Sequence, residues 1–204
     1  MSMMPRAVGR RSIIGGLLVS PALGPGASAA ESAGKVETAR GECYAQAGSA
    51  RRTLEPASAV FIGDAVATGV KSALAMRLGA ATEIKLGAEA RLRIDRFLIN
   101  AGGVLMLERG AMLYDHDAQG RPAEVAVRTT FGLLAVRGTR FFAGPSNGVF
   151  GVFVERGAVM VVGVNTSVLV TDGLGTNIDR PGAEPTPPAK WGAARIASAM
   201  ASVS

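Results

Sequence analysis

Phe150-Gly151-Val152-Phe153-Val154-Glu155-Arg156-Gly157 decides the fold class. Phe150, Val152 and Val154 alternate with Gly151, Phe153 and Glu155, so one face of an extended segment turns to a core and the other away from it. The same period of two continues outward along the chain. Leu74, Met76 and Leu78 alternate with Ala73, Ala75 and Arg77, Ile84 and Leu86 with Glu83 and Lys85, and Val125, Val127 and Thr129 with Ala126 and Arg128. Glycines stand between these runs, among them Gly63, Gly69, Gly79, Gly87, Gly110, Gly120, Gly132, Gly144, Gly157 and Gly173. Many lie about six to twelve residues apart, the rhythm of short strands. In helices each would cost about 1 kcal/mol, so a helix-rich fold is excluded and an all-β fold is expected. Short strands with glycine corners suit a solenoid-like stack. A β-sandwich or barrel is the competing architecture, and periodicity alone does not separate them.

Outside that region the pattern changes. Residues 30–58 are polar and alanine-rich with few strand signals, and are expected to lead into a β-domain over residues 59–180. Residues 181–188, Pro181-Gly182-Ala183-Glu184-Pro185-Thr186-Pro187-Pro188, cannot continue a sheet and read as an extended linker. Residues 189–204 carry one short amphipathic helix, with Ile196, Met200 and Val203 at helical spacing after Trp191. The first reading of that helix is a cap over an open β-edge; the second is a partner-binding tail.

Residues 1–29 have the layout of an export signal: Arg6, Arg10 and Arg11, an apolar run from Ile13 to Leu23, then Ala27-Ser28-Ala29 as a cleavage site. The apolar run is shorter than the ~20 residues that span a bilayer as a helix. The adjacent Arg10 and Arg11 give the segment a twin-arginine character. Cleavage after Ala29 is expected to leave a periplasmic or secreted chain that does not span the membrane. Because the segment holds three arginines and no acid, its loss lowers the net charge from +6 to +3. The remaining charges are scattered, as in Arg91, Arg93 and Asp95 alternating with Leu92 and Ile94. Aromatics make up 5% of the chain, too few for a base-stacking platform. Nucleic-acid binding is disfavoured.

The search for chemistry is mostly negative. Gly144-Pro145-Ser146-Asn147-Gly148 has Gly-x-Ser-x-Gly spacing but lies between two β-runs with no helix behind it, so it is not read as a nucleophile elbow. A phosphate-binding glycine loop and a dinucleotide fingerprint are not found. The single histidine, in Asp115-His116-Asp117 before Gln119-Gly120, has no second histidine to complete a zinc site and reads as a solvated loop. No cofactor, metal or catalytic residue is expected, and the chain is not read as an enzyme. Cys43 is the only cysteine. Its first reading is a small buried thiol, and the alternative is a disulfide-linked homodimer. Gly63-Asp64 can form a tight turn in which Gly permits positive φ and Asp accepts backbone N–H bonds. Gly138 interrupting Val136-Arg137-Gly138-Thr139 suggests a bulge, with the five donors of Arg137 tying down neighbouring carbonyls. Glu155-Arg156-Gly157 reads as a turn after a buried strand, with Glu155 as a partner for Arg137.

Three segments, in order and spacing, resemble one family: Gly63-Asp64-Ala65-Val66-Ala67-Thr68-Gly69, Ala135-Val136-Arg137-Gly138-Thr139-Arg140-Phe141, and Val154-Glu155-Arg156-Gly157-Ala158-Val159. They are similar to the FecR domain, the extracytoplasmic β-domain of bacterial iron-dicitrate-type sensor proteins. The resemblance extends over residues 45–180 and implies a solenoid-like β-structure. Within it Gly63, Asp64, Thr68, Gly69, Val136, Arg137, Gly138, Thr139, Phe141, Glu155 and Gly157 form a family motif read as structural. Family sensors usually place a cytoplasmic anti-sigma segment and a membrane helix before this domain, and this sequence is read as having neither. The expected function is a non-catalytic periplasmic module for protein interaction or envelope signalling, with an envelope protein as partner. The alternatives are a glycan- or polymer-binding module and a structural component of an envelope assembly. An exposed aromatic stripe would favour the glycan; a long uncovered edge strand would favour assembly.

Overall fold

The computed structural model describes residues 1, 31–98, 102–116 and 124–204. Arg10, Arg11, Ala27 and Ala29 of the expected export signal lie outside the described residues, as do Asp117 and Gln119-Gly120. Alternating apolar residues become strands because every second side chain reaches the same side of a pleated chain. The first ten are β1 (Ser32–Arg40), β2 (Cys43–Ala47), β3 (Ala50–Thr53), β4 (Ala59–Phe61), β5 (Ala65–Thr68), β6 (Ala73–Leu78), β7 (Thr82–Leu86), β8 (Arg91–Leu98), β9 (Gly102–Arg109) and β10 (Met112–His116). β11 (Glu124–Thr129) precedes the two longest, β12 (Leu133–Ser146) and β13 (Val149–Val162). β14 (Ser167–Thr171), β15 (Leu174–Ile178), β16 (Ala189–Lys190) and helix α1 (Ala193–Ala201) complete the chain.

All the strands join one sheet, in the order β3-β2-β5-β8-β9-β11-β12-β10-β7-β6-β1-β4. β13 runs along the far edge of β12 and carries β14 and β15 on its own far edge. The β9–β11 pair is parallel, whereas hairpins such as β6–β7 and β12–β13 are antiparallel. The fold is all-β with one short C-terminal helix, and the sheet curls into a half-barrel. Of the two architectures left open by the sequence, this lies nearer the barrel: the concave face wraps one continuous core that includes Val36, Val66, Met76, Ile94, Leu105 and Val161.

Residues 30–58 differ from the expectation of a strand-poor lead-in, because β1, β2 and β3 lie there. The strands are held by pairing to β6, β4 and β5 and by small core residues, Ala33, Cys43 and Ala45, which carry little hydrophobic pattern. Residues 181–188 are extended, as their prolines require, but they are strapped to the sheet. The Thr186 N–H donates to the Asn177 carbonyl at 2.9 Å, and Glu184 accepts four bonds from Asn165 and Thr166.

The helix does not cap a sheet edge. It lies on the convex face, where Ala199 and Val203 pack with Trp191 against Ala111, Leu113, Phe142 and Phe153. Those residues alternate with the inward Met112, Tyr114, Phe141 and Val152. Both faces of this half of the sheet are apolar, and the convex one needed a cover.

Candidate interaction face

The first motif forms a lock at a turn. Gly63 has φ of +89°, a left-handed geometry that suits glycine. Asp64 is buried, accepts the Phe61 N–H at 2.8 Å and pairs with Arg52. Arg52 also reaches the Ala59 carbonyl at 2.8 Å, tying β3 to β4. Thr68 is buried: its hydroxyl donates to the Gly87 carbonyl at 2.6 Å and accepts the Ala90 N–H at 3.0 Å. The Gly69 N–H donates to the Glu42 carbonyl at 2.8 Å. Arg52 carries the lock's charge but stands outside the motif, in a segment with weak strand pattern, which is why the sequence did not single it out.

The second and third motifs meet across β12 and β13. The register shifts between Arg137, opposite Ala158, and Arg140, opposite Arg156, so Gly138 and Thr139 bulge against the single Gly157. Phe141 beyond them is buried in the core. Glu155-Arg156-Gly157 is not a turn: β13 continues through it, bent by the bulge. Glu155 pairs with Arg140, not with Arg137, at 2.8 Å. Arg140 also meets Asp115 at 2.6 Å, and Arg156 meets Asp115 at 2.9 Å. The antiparallel register itself sets Arg137 opposite Ala158 and brings Arg140 beside Glu155. The extra residue at Gly138-Thr139 is offset by an extra residue at Glu155, so the ladder resumes unshifted at Phe141–Val154. Val136 points into the core, whereas Arg137 is exposed and, among the described residues, has no hydrogen-bond partner. It does not clamp carbonyls.

That exposed arginine borders a groove of about 750 Å³ on the convex face. The α1 helix covers only the other half of this face. Across the uncovered half, cross-strand register places Val104 beside Ala126, Ala126 beside Ala135, Ala135 beside Met160 and Met160 beside Leu169. Five strands thus present one continuous apolar row, in which Met160 is 37% and Leu169 52% exposed. A second row runs beside it, charged at Glu124 opposite Arg137 and continuing through Ala158 to Thr171. Arg96 adds a second cation to the rim. Apolar centre and charged rim are the anatomy of a protein contact surface. The row escapes sequence reading because Ala158-Val159-Met160-Val161-Val162 is apolar throughout and does not show which residues face out.

Two other places gather pocket-lining or polar side chains. A pocket of about 350 Å³ lies beside the β12–β13 turn, lined by Leu107, Phe131, Pro145 and Phe150 with Arg109 and Asp179. Phe131 stacks on Phe150 there at 4.5 Å between centroids. The Asp115-His116 pair is not a solvated loop. His116 ends β10, buried, with Nδ1 2.9 Å from the Thr82 hydroxyl, because strand pairing to β7 carries it into the interior. Among the described residues, no group of three His, Cys, Asp or Glu side chains is placed to hold a metal, and no helix is long and apolar enough to cross a membrane. Cys43 is a free, buried thiol, pushed up in pKa by that burial.

Residues 64–160 match the family model described as FecR protein. Two crystal structures of a candidate anti-sigma factor from Parabacteroides distasonis ATCC 8503, at 1.65 Å and 2.50 Å resolution, share the fold with a TM-score of 0.54 at 16% identity. The match covers 66% of this chain and 63% and 62% of theirs, so the chain spans less than two thirds of the length of these neighbours. No curated protein matches.

Proposed function

The chain carries a FecR domain at residues 64–160, and from that premise we propose that it acts outside the cytoplasm as a non-catalytic regulatory module that works by binding an envelope protein. The observation that carries this reading is the uncovered apolar row from Val104 to Leu169 beside Arg137 and Arg96. Protein contact fits a broad, shallow row of side chains on a rigid sheet better than small-molecule capture does, since small ligands favour enclosed pockets. The structural neighbours, described as anti-sigma factors, supply a regulatory precedent at the level of fold. Export rests on the Arg10-Arg11 segment and the small residues Ala27 and Ala29.

The glycan reading receives less support. Among the described residues the exposed large hydrophobics beyond Met1 are Val70, Met160, Val164 and Leu169, none of them aromatic. A disulfide-linked dimer through Cys43 would require the core around the thiol to open.

Affinity capture with the full chain from the native envelope tests the proposal. A protein recovered with the wild type and lost with Ala135→Arg, which places a third cation in the row, is expected. Equal recovery with both chains would exclude this face.

A further inference from the structure

Sheets that end in water usually guard their edges with charge, proline, brevity or a covering segment. Among the described residues, four strands have a single partner: β3, β4, β14 and β16. β3 carries Arg51 and Arg52, and the Arg52 guanidinium bonds the Ala59 carbonyl of β4, a strand of three residues. β16 has two residues. β14, Ser167-Val168-Leu169-Val170-Thr171, has five residues and neither charge nor proline. Its outward side chains Ser167, Leu169 and Thr171 are exposed.

The main-chain groups of this strand can be assigned by alternation. The Gly163 N–H donates to the Thr166 carbonyl at 2.8 Å, so the bonded pairs of the antiparallel ladder fall at Val161–Val168 and Val159–Val170. The N–H and C=O groups of Ser167, Leu169 and Thr171 therefore point away from β13. We propose that this edge pairs with β14 of a second copy, antiparallel about a two-fold axis at Leu169.

The edge is self-complementary in the way a two-fold interface requires. Leu169 meets Leu169 of the second copy in a bonded pair, and Ser167 meets Thr171. The apolar row of each copy then runs into the other, doubling its length and covering the half-exposed Leu169. Charge does not oppose this, although the chain is basic overall. Arg137 lies two strands in from the edge, so the two copies of Arg137 sit five strand spacings apart, about 24 Å. That exceeds the ~8 Å screening length at physiological salt. A contact of one short strand is below the area of a stable dimer, so self-association is weak and depends on concentration.

Sedimentation of the full chain over a range of concentrations tests this, with Leu169→Lys and Leu169→Asp as variants. Both substitutions sit on an exposed side chain and leave the Val168 and Val170 bonds to β13 intact. The wild type is expected to dimerise with rising concentration. Each variant alone should associate about tenfold more weakly or worse, from like charges placed opposite each other. An equimolar mixture of the two should recover a heterodimer. A wild type that stays monomeric overturns the inference, as does a dimer indifferent to both substitutions. Either result leaves the partner-binding reading standing, because that reading is tested at Ala135, two strands from this edge.

Discussion

The carboxylate of Asp64 is buried against the guanidinium of Arg52, and the same oxygen accepts the Phe61 N–H at 2.8 Å. The pair joins β3 to the turn that leads from β4 into β5. Removing Asp64 strands a donor, and removing Arg52 strands a buried anion. Because Arg52 is itself partly exposed, Asp64→Ala is expected to cost about 1–3 kcal/mol, below the range for fully buried pairs. Arg52→Met should destabilise clearly more than Arg51→Met, since the Arg51–Glu42 pair is exposed and worth about 0–1 kcal/mol. Urea unfolding of the three variants checks this; equal effects at the two arginines would contradict it.

At the bulge, Gly157 has φ of +91°, and a Cβ there would stand 2.7 Å from Thr139 Cγ2. Gly157→Ala is expected to cost about 1–3 kcal/mol through strain and crowding. Thr139 offers the opposite case. Its hydroxyl is buried and has no hydrogen-bond partner among the described residues. Thr139→Val keeps the shape and removes the unpaired group, so thermal stability should rise or stay level. A marked fall in Tm would show that the hydroxyl is bonded.

Trp191 anchors the helix. Its ring lies 5.3 Å from Phe153 and 6.5 Å from Phe142, and Arg195 sits 3.5 Å over its face. Gly175 lets the ring approach, for a Cβ there would stand 2.4 Å from the indole Nε1. Trp191→Ala is expected to cost about 3–5 kcal/mol and to expose Phe142 and Phe153. Gly175→Ala should displace the ring, and the chain's single tryptophan reports it by a red shift in fluorescence. Unchanged emission would contradict this packing.

Two groups set opposite pH limits. Burial pushes the Tyr114 phenol up to about 12 from 10.0. A raised folded pKa favours the neutral form, so its contribution is complete below pH 10 and is lost as pH rises through about 12. Glu184 is lowered from 4.5, first by the Thr166 hydroxyl and then by the Asn165 N–H. Its contribution is present above pH 4.5 and is lost as pH falls through the depressed value. Protection of the Asn165 and Thr166 amides, corrected for the intrinsic pH dependence of exchange, should therefore fall in acid, and Glu184→Gln should remove that fall.

The concave face was legible in the sequence because apolar residues at every second position mark it: Leu74, Met76, Leu78, Ile84 and Leu86 all fall inside. The convex face was not. Phe153 alternates with Val152 and Val154 yet is also buried, since a helix forty residues later covers it. β1 and β2 were hidden because Ala33, Cys43 and Ala45 fill most of their core positions, and β3 because none of its side chains is buried. Arg137 was expected to meet Glu155, but the ladder sets Arg137 opposite Ala158 and Arg140 beside Glu155, and one-dimensional spacing carries no register. The same limit hid the row from Val104 to Leu169, whose members come from five strands.

A photo-crosslinking residue at Ala135 in the full chain, activated in the native envelope, tests the binding face most directly. Glu55, exposed and remote in the fold, serves as the control position. One envelope protein captured at position 135, not at 55, and lost when Arg137→Glu is added, is the predicted result. Capture of the same proteins from both positions, or capture at 135 of nothing beyond the chain itself, would contradict the assignment of this face to a protein partner.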